Sequence, residues 1–438
     1  MDKIDGNTTK MSVFNNESKL GGVMKTKLLM TFLIFTLIFA AGLYGQESLF
    51  SGNTMTIFKG DVDKLADVND YSEVKIKKVY LVTGARFDEA INAVRGFKGG
   101  FATYLDKLYF GMFYDGYFWD GDENTTKIGS NQQDRADRGF FFDNNFNVIV
   151  GNENIGGIAF NLGFANLGID EDVNDPVTVT TRSGMINFGG LWGKNFGVGN
   201  GTLKPELGFN VGINMDKIER KTGATTVENG HGPSFLSFNL TAEYLFAREG
   251  QHQTTFSFGD LPLFAFKYEN KGPPKEEFGG GVYNTLFGEI KQVYDLSGSL
   301  SVGYLVGLSL AINAPTDQKD VDDFEFGFLP RVSFGLAYKA SEKFTFNTGV
   351  RLGSLRPDLV SGDFGNMNDN FGIFYQSTKY TNYKSSTWYF LPFVGSWGLG
   401  LFWQPEEIFS ADFSVDSKIN TAPGVGGFNF NVLFTLQL

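Results

Sequence analysis

Gly427-Phe428-Asn429-Phe430-Asn431-Val432-Leu433-Phe434-Thr435-Leu436-Gln437-Leu438 is the stretch that decides the fold. Phe428, Phe430, Val432, Phe434, Leu436 and Leu438 share one face of an extended strand. Asn429, Asn431, Thr435 and Gln437 share the other, with Leu433 the one apolar residue among them. Side chains alternate across a strand, so this segment is apolar on one side and amide-lined on the other. That is the pattern expected of the closing strand of a transmembrane β-barrel, with lipid outside and water inside.

Working backwards, the same alternation recurs. Leu300, Val302, Tyr304, Val306, Leu308, Leu310 and Ile312 alternate with Ser301, Gly303, Leu305, Gly307, Ser309, Ala311 and Asn313. Leu236, Phe238, Leu240, Ala242, Tyr244 and Phe246 alternate with Ser237, Asn239, Thr241 and Glu243. Inward rows of Gly, Ser and Asn suit a solvated lumen better than the dry core of a β-sandwich, which needs apolar side chains from both sheets. No fixed blade period supports a propeller.

Sixteen strands are expected, near residues 74–83, 97–105, 108–119, 139–150, 155–168, 184–193, 203–218, 233–247, 252–268, 279–295, 299–313, 324–339, 344–355, 386–403, 408–418 and 426–438. Short turns such as Asp106-Lys107 and Ser297-Gly298 alternate with longer polar segments near 120–138, 170–183, 219–232, 269–278, 314–323 and 356–385. Outer-membrane barrels pair tight periplasmic turns with long external loops in this way. The fold class is therefore all-β, a closed antiparallel transmembrane β-barrel of about 16 strands. Lys75, Lys77 and Lys78 crowd the first strand, and without it the alternative is 14 strands plus an N-terminal plug.

Before the barrel, Met24-Lys25-Thr26-Lys27 and the apolar run Leu28–Ala41 read as a secretory signal peptide, cleaved near Gly42 or Gly45. Residues 1–45 form this export region, and Gly21-Gly22 upstream of Met24 points to Met24 as the true start, leaving 1–23 untranslated. Residues 46–73 form a periplasmic N-terminal segment or plug, and 74–438 the barrel. Removing residues 1–45 takes five Lys/Arg from 37 and three Asp/Glu from 49, leaving 32 basic and 46 acidic side chains. Such an acidic balance argues against nucleic-acid binding. With no cysteine, disulfides, thiolate metal sites and an N-terminal lipid anchor are excluded.

Chemistry for catalysis is sparse. His231 and His252 are the only histidines, neither spaced for a triad, and no Gly-x-Ser-x-Gly elbow occurs. The chain is read as a non-enzyme with no cofactor and no metal. Asp170-Glu171-Asp172-Val173-Asn174-Asp175 opens like a calcium loop, but Asp175 and Thr181 stand where glycine and glutamate are needed. It reads as a solvated acidic loop. Trp119, Tyr117, Tyr268, Tyr338, Trp388, Tyr389 and Trp403 fall near strand ends, as interfacial girdles do.

On this closing strand, signal peptide and turn alternation, the chain resembles Gram-negative outer-membrane β-barrels, porins foremost. It bears a weaker resemblance to the long-chain fatty-acid transporter family. That family's Asn-Pro-Ala opening is missing, with Ser51-Gly52-Asn53-Thr54 nearby instead, and Leu438 replaces the usual terminal Phe or Trp. The resemblance implies Sec export to the outer membrane, contact with its lipids, and insertion by the barrel-assembly machinery through the C-terminal strand.

Three functions are compatible. The first is a passive pore for small solutes, its net acidic lumen lined by Asp115, Asp143, Glu206, Asp216, Glu243, Glu325, Arg331, Lys339, Arg351 and Asp412. The second is a hydrophobic-ligand transporter, with inward Phe113, Phe141, Phe287, Phe390 and Phe402. The third is a structural or adhesive surface protein with a closed lumen. Residues 356–385 carry Phe371, Phe374 and Tyr375, expected to fold as a lid over the external mouth.

Overall fold

The first and last strands of the wall hydrogen-bond to each other. Val79–Asp88 runs antiparallel to Phe428–Gln437, with Tyr80 opposite Gln437 and Asp88 opposite Asn429. This pairing closes the sheet into a barrel. The computed structural model describes residues 61–88, 94–121, 137–174, 177–215, 217–222, 225–229, 234–266, 268–269, 277–278, 281–315, 321–352, 372–380, 383–391, 395–406, 408–419 and 428–437. The signal-peptide reading, His231, Asp216, Phe371 and Leu438 lie outside them.

The wall has sixteen antiparallel strands, each paired with its sequence neighbours. Turn chemistry sets the register at one end: Leu105 pairs with Leu108 around Asp106-Lys107, and Asp106 adopts φ 60, a conformation its short polar side chain tolerates. Several wall strands run in two pieces. Leu261-Pro262 interrupts the strand formed by His252–Asp260 and Leu263–Ala265, because proline cannot donate to the ladder.

The facing follows the alternation. Ser237 and Asn239 are buried on the inner side while Phe238 and Leu240 are exposed outside. Ser333 is 2% exposed and its neighbour Phe334 55%. Leu207, Phe258, Leu308 and Leu399 extend this apolar exterior. A closed barrel, apolar outside and polar inside, is the outer-membrane β-barrel architecture: closure satisfies every backbone group within the lipid phase. Among the described residues no helix is long and apolar enough to cross a membrane; the strands do so.

Four expectations are corrected. The first strand begins at Val79, so Lys75, Lys77 and Lys78 precede it and do not crowd it. Within it, Tyr80 and Val82 are buried and Leu81 exposed, so the apolar pair faces inward. Residues 170–183 are wall: Gly156–Asn174 and Val177–Gly193 extend as a hairpin in which Asp170 pairs with Thr180 and Asp172 with Thr178. The β-branched run Val177-Thr-Val-Thr-Thr181 favours that extension. Lys217–Thr222 and Thr225–Asn229 extend the wall likewise. Finally, part of the expected lid at 356–385 is strand: residues 372–380 and 383–385 are paired, while 356–371 and 381–382 lie outside the described residues. Gly372–Tyr380 continues the direction of Phe344–Leu352 along the same neighbour, Val321–Lys339, and then pairs with Tyr383–Leu391. Phe374 and Tyr375 thus belong to the wall, opposite Gly327 and Phe326.

Candidate functional site

The chain entering the first strand occupies the lumen at the short-turn end. A five-residue helix, Asp61–Leu65, leads through Val68 to a 3-10 turn, Tyr71–Glu73. Val62, Leu65, Val68, Tyr71 and Val74 form one apolar cluster with the wall residues Tyr80, Val82, Ala102, Tyr109, Phe113, Ile149, Ala159 and Leu433. Here lies the reason Tyr80 and Val82 are apolar although they face inward: the inner surface there meets protein, not water. Phe113 and Leu433 are explained the same way.

Glycines on the wall make the fit. A Cβ on Gly157 would sit 2.2 Å from the Val68 carbonyl oxygen, and one on Gly193 would sit 2.6 Å from Val68 Cγ2. Tyr71 stacks on Tyr109 with centroids 4.6 Å apart, and the Tyr109 hydroxyl donates to the Leu65 carbonyl at 2.6 Å. Burial first, then Tyr104 and Glu153, push the Tyr71 phenol up to about 12, so it stays neutral at physiological pH.

Polar bonds fix the segment from the opposite side. Lys204 Nζ lies 2.5 Å from Asp70 Oδ1 and 3.0 Å from Glu73 Oε1, with the Lys204 and Asp70 side chains both buried. Asn69 donates to Glu206 at 3.1 Å, and Asn195 donates to the Asn69 carbonyl at 2.8 Å. Gln437 of the closing strand donates to the Lys75 carbonyl. Residues 61–75 are therefore a plug held by both an apolar cluster and a buried ion pair.

The structure distributes the expected lumen residues in several ways. Asp115 is buried beside Lys98 at 3.8 Å, and Arg331 lies 3.6 Å from Glu289. Glu206 holds the plug and also accepts from Thr241 at 3.4 Å. Asp412 is half-buried within electrostatic reach of Asp63 of the plug. Ser257 donates to Glu243 at 3.5 Å. Arg351 is half-buried on Phe344–Leu352, and Lys339 is exposed near a short turn. Asp143 and Glu325 stand on wall strands, opposite Tyr117 and Asn313 respectively; their side chains are not described. Among the described residues, bases on neighbouring strands compensate part of the inward acidic charge. Lys98, Lys204 and Glu289 were missed by the sequence reading, although each falls on the inward step of its alternation.

Above the plug, the wall is lined with carboxamides. Asn147, Asn161, Asn210 and Asn239 are buried; Asn147 faces Asn161, Gly189 lies between Asn161 and Asn210, and Gly208 faces Asn239. Among the described residues no group of His, Cys, Asp and Glu is arranged to hold a metal.

No family model matches the chain, and no curated protein matches it. Several solved structures are similar at low identity. CdiB from Acinetobacter baumannii aligns over 82% of this chain and 60% of its own, with TM-score 0.41 and 8% identity. The chain thus spans less than two thirds of CdiB's length. The CymD monoaromatic hydrocarbon channel covers 86% of this chain and 93% of its own, with TM-score 0.34 and 9% identity. The P. putida toluene transporter TodX covers 89% of this chain and 99% of its own, with TM-score 0.33 and 7% identity. What the lumen does is read from its own residues.

Proposed function

We propose that the protein is a transport barrel of the Gram-negative outer membrane. It passes small polar solutes passively through its lumen, and residues 61–75 restrict the short-turn, periplasmic mouth. The observation that supports this reading most is the inner wall above the plug, where Asn, Ser and Gly alternate with lipid-facing Leu and Phe. Uncharged polar side chains and glycines on the inward steps are the composition expected of a solvated lumen rather than of an apolar core. Glu243 and Asp412 add carboxylate character, while Asp115 and Glu289 are balanced by Lys98 and Arg331. The expected selectivity is therefore weakly cationic.

Planar-bilayer recording tests the reading with the full chain and with residues 61–74 deleted. The full chain should give small or rare openings, and the deletion large steady ones with a weak cation preference. A deletion variant that folds, shown by a boiling-dependent shift in gel mobility, yet never conducts would remove the pore reading.

A second reading has its own support. Phe235, Leu263, Phe287, Leu305 and Leu329 are buried on inward positions of the wall between Phe235 and Lys339, and Phe287 packs on Leu261. This apolar stretch suits a hydrophobic ligand. A lipid retained in native mass spectrometry, together with a silent bilayer, would favour it.

A further inference from the structure

Five asparagines on five adjacent strands converge on one area of the inner wall. In the register, Asn147 lies opposite Asn161, Asn161 opposite Gly189, Gly189 opposite Asn210, and Asn210 opposite Ser237. These residues make a single row across the wall. Asn187 stands one row farther from the plug, opposite Gly163 and Gly212. Asn239 stands one row nearer, opposite Gly208. The same strands carry Ile149, Ala159 and Leu191 into the plug's apolar cluster, so the amides sit directly above it.

The Oδ1 atoms of all five asparagines are buried and have no hydrogen-bond partner, and neither has Asn147 Nδ2. Asn147, Asn161, Asn210 and Asn239 are each more than nine-tenths buried. A buried amide without a partner costs roughly 1–3 kcal/mol, and native proteins rarely leave several such groups together. One or two could be packing accidents. Five neutral carboxamides of one type, interleaved with glycines, form a surface that lacks its counterpart.

The chemistry of that counterpart is constrained. Each amide offers an acceptor oxygen and a donor NH₂, which a hydroxyl answers in both senses. The band carries no charge of its own, so it gives an ion no counter-charge. Its groups repeat at about 4.8 Å from strand to strand, a spacing suited to a molecule with several hydroxyls. Rotation about χ2, a soft torsion, lets each amide exchange its donor and acceptor sides toward a bound hydroxyl. We infer that this band is a binding subsite for a neutral polyhydroxylated solute, a sugar or polyol, held just above the plug. The inference rests on the transport reading and names its substrate class.

Isothermal titration of the full chain in detergent with maltotriose, sucrose and sorbitol tests it, against polyethylene glycol of matched size. At least one of the three should bind while the glycol does not. The Asn161→Ala/Asn210→Ala double variant should bind it about tenfold or more weakly, and Asn347→Ala, inward on a distant strand, should leave binding unchanged. Heat-modifiability establishes that the variants fold; should the double variant fail, Asn161→Ser and Asn210→Ser carry the measurement. Absence of binding by all three solutes, glycol binding as well as they do, or unchanged affinity in the asparagine variants overturns the subsite. Titration needs no open pore. Sugar binding with a silent bilayer therefore supports the subsite against the passive pore, and conductance without sugar binding does the reverse.

Discussion

Lys204, on the wall strand Gly201–Asn214, places its ammonium 2.5 Å from the carboxylate of Asp70 in the plug. Both side chains are buried, and the residues are 134 apart in sequence. Breaking such a pair from one side leaves a buried charge uncompensated, at a cost of about 3–5 kcal/mol. The barrel wall does not need this bond; the docked plug does. Lys204→Met should therefore release residues 61–75 while the barrel stays folded. Hydrogen exchange in that segment should rise at least a hundredfold, and the single-channel current should increase. Unchanged protection would show that the apolar cluster alone holds the plug.

Gly157 tests the same docking from the steric side. Its missing Cβ leaves the space that the Val68 carbonyl fills at 2.2 Å from the ideal Cβ position. Gly157→Val should overpack this contact by about 1–3 kcal/mol without touching the lipid face. Protease should then cut near Val68 in detergent-solubilised protein while the barrel fragment persists. Equal resistance in variant and wild type would place the plug's anchor elsewhere.

Facing can be tested with one residue type at two positions. Phe334→Arg puts a charge on the lipid side of the wall and should cost about 2–4 kcal/mol near the bilayer midplane. Ser333, its inward neighbour, is nearly fully buried, so the better comparison is Asn347, half-buried on an inward step between Ala337 and Gly400. Asn347→Arg should fold in vesicles with near wild-type yield. Equal losses for the two variants would contradict the facing.

The alternation of Leu300–Ile312 and of the closing segment made the wall legible, since lipid outside and water inside impose opposite demands on successive residues. Sixteen strands followed from counting turns. Three features were hidden, each for a physical reason. A plug was one of the two readings of residues 46–73, but where Asp61 to Val74 docks shows no period because its partners are scattered over the wall at Tyr109, Gly157, Gly193 and Lys204. Tyr80 and Val82 look lipid-facing in sequence because a plug and a bilayer both demand apolar side chains. The acidic run at Asp170–Asp172 looked like a loop because charge is rare on strands within lipid, yet this hairpin pairs well beyond the ~9–11 residues that span a bilayer. Of the candidate site, the inward acids were visible, but their pairing with Lys98 and Arg331 depends on register, which composition does not carry.

The seam between first and last strands offers the final test. Gly84 pairs with Leu433, and a Cβ there would lie 2.4 Å from the Val432 carbonyl oxygen and 2.9 Å from Leu433 Cδ1. Backbone cannot move aside at a strand junction without breaking ladder hydrogen bonds, and inside a bilayer broken ladder bonds find no water to replace them. Gly84→Val should therefore hinder closure itself. The unboiled protein should lose much of its compact, fast-migrating band and show β structure that melts at lower temperature. Gly288→Val, where nothing lies within 4 Å of the ideal Cβ, should keep that band intact. If Gly84→Val migrates and melts like wild type, the pairing of Val79–Asp88 with Phe428–Gln437 is not what closes the barrel.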